Sequence, residues 1–521
     1  MRVKARGLLR STAVFSSMTL LSRLAGFARD VLQASLFGAS AAMDAFVIAY
    51  RIPNYLRRIF AEGSFSSAFV PAYSAVKEQG DPAALREFVD HVAGALCAVV
   101  LVVAGLGMLA APLIAMLFAP GAIDDPAQIE RISSMLMITF PYLFFISLTA
   151  LAGAVLNSHG RFGLAAVTPV LHNFAMIAAM LALAPLMAMS PEALAWGVLL
   201  AGIAQFLLLW PALGRLGIRP RLRLDFGHPA VRQVGRLMLP TLFSSSVAQL
   251  NLLVGTVFAS LLVTGSQTWL YMSDRLAEFP LGLFGVAIGT VILPHLSSRF
   301  AAGDAEGYGR AIDWALRMVV LVGLPAGVGL MLLAEPLTAT LYQHGRFTAH
   351  DAQMAALALS AMSLAVPAFM LSKVLLPAYF SRQDTRTPMR AAIITVAINV
   401  VLTVLFTTPL WWFKIEGAHV GIALATALAG IANAALLWRW LRRDGIVKPQ
   451  PGWGRLLLQV GFGLLALAAA VLAVRAEVGS FGVLPVMHRL GWLFTAVLAG
   501  AAAYAIALLA VGVRPRRVWA H

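Results

Sequence analysis

Arginine and carboxylate side chains interrupt the apolar runs of this sequence, in a pattern suited to binding an anion. In the second apolar run, counted from the N-terminus, the charged residues are Asp44, Arg51, Arg57, Arg58 and Glu62. On a helix that turns about 100° per residue, Arg51 lies about 20° from Asp44 and Arg58 about 40° away. Glu62 returns to nearly the angle of Asp44. Because a charge at the bilayer centre costs roughly 2.5–3.5 kcal/mol, this stripe predicts a watery cavity inside a helix bundle.

Two other runs carry charges of the same kind. The first run holds Ser22, Arg23, Arg29 and Asp30, which cover one face of a helix. The eighth run holds Asp274, Arg275 and Glu278 within about one turn, followed by Pro280. These residues are the further candidates for a binding site and its gate.

Two interpretations of the charges remain open. They are either internal ion pairs, such as Arg29 with Asp30, Arg58 with Glu62 and Arg275 with Glu278, or a site for cargo. The arginines outnumber the acids, and the adjacent Arg57 and Arg58 cannot easily share one partner. Because the planar guanidinium suits two-pronged binding of phosphate and carboxylate, this surplus favours an anionic cargo.

Composition restricts the fold class to an all-α polytopic membrane protein. The chain has 521 residues, of which 60% are hydrophobic and only 12% are charged. Its apolar runs are continuous and about 20 residues long, unlike the alternating strands of a membrane barrel. The net charge of +16 is explained by basic cytoplasmic loops, and no segment is long enough for a basic nucleic-acid-binding domain. Cys97 is the only cysteine, which excludes an internal disulfide.

We place fourteen membrane segments, and their loops differ sharply in charge. The segments are 12–37, 42–74, 90–118, 132–156, 163–186, 192–213, 237–263, 269–298, 311–342, 352–380, 388–410, 417–438, 456–475 and 487–512. One set of loops holds most of the lysine and arginine, whereas the opposite set holds only Arg131, Arg346, Lys414, Arg475 and Arg489. This asymmetry predicts that both termini are cytoplasmic. Although Ala39-Ser40-Ala41 resembles a cleavage site, Arg23, Arg29 and Asp30 interrupt the preceding run, so we expect a retained first helix.

The two halves of the chain look like repeats in the same orientation. The patterns at 69–74 and 110–118 recur at 292–297 and 334–342 with nearly the same offset. Parallel repeats around a central site are a transporter plan. The predicted units are an N-lobe of six helices (1–214), a basic cytoplasmic linker (215–236), a C-lobe of six helices (237–440) and two C-terminal helices with a tail (441–521).

Several motifs resemble the MurJ (MviN) family of the multidrug/oligosaccharidyl-lipid/polysaccharide exporter superfamily. They lie at 17–30, 43–46, 53–65 and 273–280, and the resemblance extends over essentially the whole chain. It implies fourteen helices around a central cationic cavity, in the bacterial inner membrane. It also implies flipping of lipid II, the undecaprenyl-pyrophosphate-linked peptidoglycan precursor, to the periplasmic leaflet.

By this resemblance, the family's functional arginines match Arg23, Arg29 and Arg275. Its other cavity positions match Ser22, Asp44, Arg57 and Glu278, and Arg51 stands where relatives often have lysine. The C-terminal helices are expected to form a groove for the lipid tail. The expected partners are lipid II and membrane lipid, and an association with the cell wall synthesis machinery is left open.

We expect no enzyme activity, no cofactor and no metal site. The sequence has no Walker A loop, no HExxH motif and no local cluster of cysteine and histidine. A polymerase acting on the same lipid would need a catalytic acid and a larger outer loop. The alternative function is a cation-coupled exporter of drugs, for which an acidic cavity is expected, or of another polyprenyl-linked oligosaccharide.

Overall fold

The protein is all-helical, as the apolar runs predict. A computed structural model describes residues 2–58, 64–282, 286–413, 415–447 and 450–513, except for the side chains of 2–16, 64, 67, 240–241, 243–251 and 286–291. Every predicted membrane segment corresponds to one helix or to two consecutive helices. Among the described residues, nine helices are long and apolar enough to cross a membrane, or ten if one bent pair forms a single span. The chain is therefore a multi-pass membrane protein.

The helices divide into two compact units, residues 1–267 and 268–521. The first unit contains α1 (Arg2–Phe37), α2 (Ala41–Arg57), α3 (Ser64–Glu78), α4 (Pro82–Leu109), α5 (Ala111–Phe118), α6 (Pro126–Thr139), α7 (Tyr142–Ser158), α8 (Phe162–Leu186), α9 (Glu192–Gly214) and α10 (Pro229–Ser260). At the boundary begins α11 (Ser266–Pro280). The second unit continues with α12 (Val286–Ala301), α13 (Ala305–Leu332), α14 (Ala334–Leu341), α15 (Ala349–Ser363), α16 (Val366–Phe380), α17 (Arg386–Trp412), α18 (His419–Arg443), α19 (Trp453–Val478) and α20 (Val486–Ala510).

Helix breaks recur in the same order in both halves, which supports the predicted repeat. The break between α4 and α5 at Ala110 has its counterpart at Leu333, between α13 and α14. The α6–α7 break likewise matches the α15–α16 break. Proline accompanies several of these breaks: Pro141 precedes α7, and Pro367 lies in the first turn of α16. Proline lacks a backbone N–H and favours a helix start, so the sequence itself specifies where these segments bend.

The helix α10 packs on the first unit, against α3 and α4. Its place in the repeat makes it the counterpart of α1, which packs on α8. The predicted lobe boundary lay before residue 237, whereas the compact units divide after Gln267. The predicted domain limits therefore stay a prediction about the repeat. The segment between α9 and α10 (215–228), called the connector below, and α10 itself belong to the first compact unit.

In the second unit, α19 and α20 pack on each other and reach α13 and α14 respectively. The buried Arg489 fixes the start of α20. Its guanidinium donates to the carbonyl oxygens of Leu484 and Gly482 at 2.6 Å each, and to that of Ala339 in α14 at 2.9 Å. The side chain thus donates hydrogen bonds to carbonyl oxygens at a helix end and in the loop before α20.

Candidate functional site

The polar face of α1 is completed by one asparagine from α8. The buried Arg29 donates from Nη2 and Nε to Oδ1 of Asp30, at 2.6 and 3.0 Å. Its Nη1 donates to Oδ1 of Asn173 at 3.0 Å. The Nδ2 of Asn173 donates to the carbonyl oxygen of Ser22 at 2.9 Å and reaches its hydroxyl at 3.4 Å. Asn173 therefore holds two of the predicted cavity residues in one hydrogen-bonded group.

Arg29 and Asp30 form an internal ion pair, as the first of the two interpretations predicts for them. This ion pair does not remove the surplus of positive charge. Arg23 is half-buried and forms no hydrogen bond or ion pair with any residue that the structure describes. Arg57 donates from Nε to the neutral Oδ1 of Asn54 at 2.9 Å. Both Arg29 and Arg57 lie within electrostatic range of His172 on α8. The first unit thus brings the guanidinium groups of Arg29, on α1, and Arg57, on α2, close to one residue of α8.

Two residues of the predicted stripe contact the far end of α10. Asp44 is buried, and its Oδ2 accepts a hydrogen bond from the backbone N–H of Gly265 at 2.6 Å. The Nη1 of Arg51 donates to the hydroxyl of Thr256 at 2.9 Å and to Oε1 of Gln267 at 3.5 Å. These contacts join α2 to the end of α10, to the loop that follows it and to the first turn of α11.

The rest of the stripe lies at the end of α2. Arg58 is the C-cap of α2, and its N–H bonds to the carbonyl oxygens of Asn54 and Tyr55. Glu62 lies outside the described residues, so its predicted pairing with Arg58 stays a prediction. The described part of the stripe is helical through Pro53, as the angular argument requires.

The candidates of the second unit cluster on α11. The guanidinium of Arg275 lies 3.3 Å from Oε2 of Glu278 and 5.0 Å from the centre of the Tyr271 ring. The Arg275 side chain is 28% exposed and that of Glu278 is 52% exposed, so this pair meets water and is weakly held. Asp274 is half-buried on the same helix. A cation stacked on an aromatic face remains able to bind a polar ligand.

Sequence reasoning missed the residues that position the arginines. Asn173 is a polar residue inside an apolar run, and that alone was a usable signal. Thr256 and Gln267 gave no such signal, because threonine is common in membrane helices and Gln267 lies near a helix start.

Comparison with known proteins gives a consistent result. The family model described as "Lipid II flippase MurJ" matches residues 33–489. The chain is 40% identical over 510 residues to the "Probable lipid II flippase MurJ" of Haemophilus influenzae, covering 95% of this chain and 98% of the relative.

Two solved structures resemble this fold. A structure titled "Lipid II flippase MurJ, inward closed conformation" has a TM-score of 0.79 at 26% identity, covering 95% of this chain and 98% of the other. An inward-facing multidrug resistance MATE transporter of the MOP superfamily has a TM-score of 0.64 at 14% identity, covering 83% and 98%, which shows a shared fold. Residues 33–489 and nearly the full length of the relative are matched, and the chain therefore belongs to the lipid II flippase MurJ family.

Proposed function

We propose that this protein flips lipid II, a lipid-linked peptidoglycan precursor, from the cytoplasmic to the periplasmic leaflet by alternating access. The observation that carries the proposal is that Arg29 of α1 and Arg57 of α2 both lie near His172 of α8, in a chain from this family. The pyrophosphate and carboxylates of the cargo supply the complementary negative charge. Transport of this kind needs no covalent chemistry and no cofactor.

Each candidate has a role in this proposal. Cargo capture is assigned to arginines and one hydroxyl, namely Arg23, Arg29, Arg51, Arg57, Arg275 and Ser22. The gate is assigned to residues that pair with these arginines in the empty state or lie beside them, namely Asp30, Asp44, Arg58, Glu62, Asp274 and Glu278. Arg29 fits capture because Asn173 orients its guanidinium while Asp30 balances its charge. Arg275 fits because its pair with Glu278 is open to water and easily exchanged for cargo.

The energetics favour export of an anion. In a membrane that is negative inside, outward movement gains about 2.3 kcal/mol per charge per 100 mV. The proposal includes a location in the bacterial inner membrane, which membership of this family supports. It also includes cytoplasmic termini, which the distribution of basic loops favours. The paired helices α19 and α20 supply an apolar surface for the polyprenyl tail, and a link to the cell wall synthesis machinery is part of the proposal.

The test is the appearance of lipid II in the outer leaflet of cells that are depleted of this protein and then complemented. Wild type is compared with Arg29→Ala, and Arg215→Ala serves as the control. Arg215 lies in the same unit but is exposed at the end of α9, where the connector begins. Membrane abundance of each variant is measured in parallel.

Restoration by wild type and Arg215→Ala, but not by normally inserted Arg29→Ala, is the expected result. If depletion leaves outer-leaflet lipid II unchanged and instead accumulates another polyprenyl-linked oligosaccharide inside, the cargo is that lipid. If depletion only sensitises cells to cationic drugs, the exporter alternative replaces this proposal.

A further inference from the structure

Three potential metal ligands meet where the connector between α9 and α10 crosses α4. Glu87 and His91 are spaced four residues apart on α4, so they share one face of that helix. His228 precedes Pro229 and is the N-cap of α10. One ligand atom from each of the three side chains lies within 4.8 Å of the other two. Because His228 is far from Glu87 and His91 in the chain, the sequence predicted no metal site.

The cluster has the chemistry of a transition-metal site. The Nε2 of His228 is 3.5 Å from Oε1 of Glu87, and the rings of His91 and His228 are stacked with centroids 3.9 Å apart. The Nδ1 of His91 lies 2.8 Å from the carbonyl oxygen of Glu87. Donation from Nδ1 to a carbonyl leaves Nε2 with its lone pair available, which is the usual outer-shell arrangement of a metal-bound histidine. Two imidazoles and a carboxylate suit Zn²⁺ better than Ca²⁺ or Mg²⁺.

We propose that Glu87, His91 and His228 bind one Zn²⁺ and thereby fasten the connector and the start of α10 to α4. Three protein ligands leave the fourth tetrahedral position to water. The site does not depend on the proposed transport function, because none of its three ligands is assigned to cargo capture or to the gate.

Binding requires small rotations of side chains, and the surroundings permit them. A metal must lie near the plane of each imidazole, so the two stacked rings have to splay apart. His91 is buried, but His228 is half-buried and the Glu87 side chain is 55% exposed, so the last two can adjust. Coordination by Nε2 places a proton on Nδ1 of His228, which gives up the 3.3 Å hydrogen bond that this atom accepts from the N–H of Ala230.

The backbone around the cluster is already closely held. The Oδ1 of Asp90 accepts a hydrogen bond from the N–H of Arg221 at 2.8 Å, and the Asp90 carbonyl oxygen accepts one from the N–H of Arg223 at 3.2 Å. The connector thus positions His228 over α4 before any metal arrives. The positive end of the α10 dipole opposes a cation, so we expect a Kd on the order of micromolar, weaker than in closed four-ligand structural sites.

Direct measurement of Zn²⁺ binding tests the site. The full chain is purified in detergent, its affinity tag is removed, and it is stripped with a chelator before equilibrium dialysis against Zn²⁺ alone. His228→Asn removes the imidazole but keeps a good N-cap residue, and Glu87→Gln keeps the side-chain shape. His295→Ala is the control, because His295 is exposed on α12 and lies far from the cluster in sequence.

The expected result is one Zn²⁺ per chain for wild type and His295→Ala, with affinity about 100-fold lower in His228→Asn and Glu87→Gln. Zn²⁺ should also slow trypsin cleavage after the exposed Arg221 and Arg223 of the wild-type connector. The proposal is overturned if wild type takes up no Zn²⁺, if both ligand variants bind as well as wild type, or if bound Zn²⁺ leaves connector cleavage unchanged.

Discussion

The backbone of Arg223 lies directly against Gly94 of α4. A Cβ atom built on Gly94 would be 2.1 Å from the carbonyl oxygen of Arg223 and 2.7 Å from its nitrogen. Such distances are far below van der Waals contact, so only glycine permits this approach. The connector is therefore a packed part of the first unit rather than a loose linker between two halves.

Gly94→Ala should displace the connector and lower the free energy of unfolding by about 1–3 kcal/mol, because backbone atoms cannot give way as a side chain can. Thermal unfolding of the purified protein in detergent measures the loss, and faster trypsin cleavage of the connector locates it. Gly105→Ala is the matched control on the same helix, because nothing lies within 4 Å of its added Cβ. Equal stability of the two variants would contradict this packing.

Asn173 should matter more for transport than for stability. Asn173→Asp places a second carboxylate beside Arg29, whose charge Asp30 already balances. We expect at least a 10-fold lower rate of lipid II flipping, with the protein still inserted. Asn173→Gln, which keeps the amide but moves it by one methylene, should fall between wild type and Asn173→Asp.

Flipping in complemented cells and the amount of protein in the membrane are measured together for these variants. If Asn173→Asp flips lipid II at the wild-type rate, Asn173 does not orient a functional Arg29. If the variant is absent from the membrane, Asn173→Gln carries the comparison.

The fold was more predictable than the site. Apolar length located the fourteen segments, because it is a local property of the chain. The bends near Pro141 and Pro367 were not predicted, since the segments 132–156 and 352–380 were each taken as one run. Angular spacing also grouped Ser22 with Arg29 on the polar face of α1. Spacing reports only which residues share a helix, however, and cannot identify a partner on another helix such as Asn173.

Long-range pairing explains the remaining differences. The charges of Asp44 and Arg51 predict a place in the cavity, yet Arg51 contacts Thr256 near the end of α10 and Asp44 contacts Gly265 in the loop after it. The residues of the Zn²⁺ proposal, Glu87 and His228, likewise meet only because the connector folds back on α4. No local pattern in the sequence encodes either meeting.

Thr256→Val should weaken the attachment of α2 to α10 without removing the charge of Arg51. The substitution keeps the shape of a fully buried side chain but deletes the hydroxyl that accepts from Arg51 at 2.9 Å. We expect the free energy of unfolding to fall by about 1.5–3 kcal/mol, the range for a hydrogen bond to a charged group.

Thr407→Val is the control for this loss, because Thr407 is buried and, among the described residues, its hydroxyl has no hydrogen-bond partner. Its replacement should be neutral or stabilising in the same unfolding assay. The contrary outcome is that Thr256→Val is as stable as wild type while Arg51→Ala loses transport. Arg51 would then act in binding the cargo rather than in holding α2 to α10.

Arg489→Ala should detach the start of α20 from α14. Loss of the guanidinium removes a donor from the carbonyl oxygens of Leu484 and Ala339, at about 1–3 kcal/mol for each buried acceptor, whereas the Gly482 carbonyl oxygen keeps its hydrogen bond from Nε2 of Gln343. We expect a total of roughly 3 kcal/mol or more, measured by thermal unfolding and by protease cleavage in the loop before α20. Arg475→Ala should cost less, because its pair with Glu335 is about one-third exposed; the reverse order would refute this role of Arg489.

His159 should make the stability of the first unit depend on pH near neutrality. Burial, and then the charges of Lys77 and Arg161, hold the pKa of His159 below its ordinary value of 6.5. Its Nε2 lies 2.9 Å from the hydroxyl of Tyr73, which joins the loop after α7 to α3. The neutral ring is therefore the form that fits the folded protein.

The direction of the effect follows from proton uptake. Above about pH 6.5 the ring is neutral in both states, so its contribution to stability is fully present. As the pH falls below 6.5, the unfolded chain binds a proton that the folded protein does not, and the free energy of unfolding decreases until the pH passes the folded pKa. Melting temperatures between pH 8 and 5 should thus decline less in His159→Gln, which can still bond Tyr73, than in wild type. His295→Gln, which changes an exposed ring, should follow the wild-type curve; an unchanged slope in His159→Gln would show that another group controls this range.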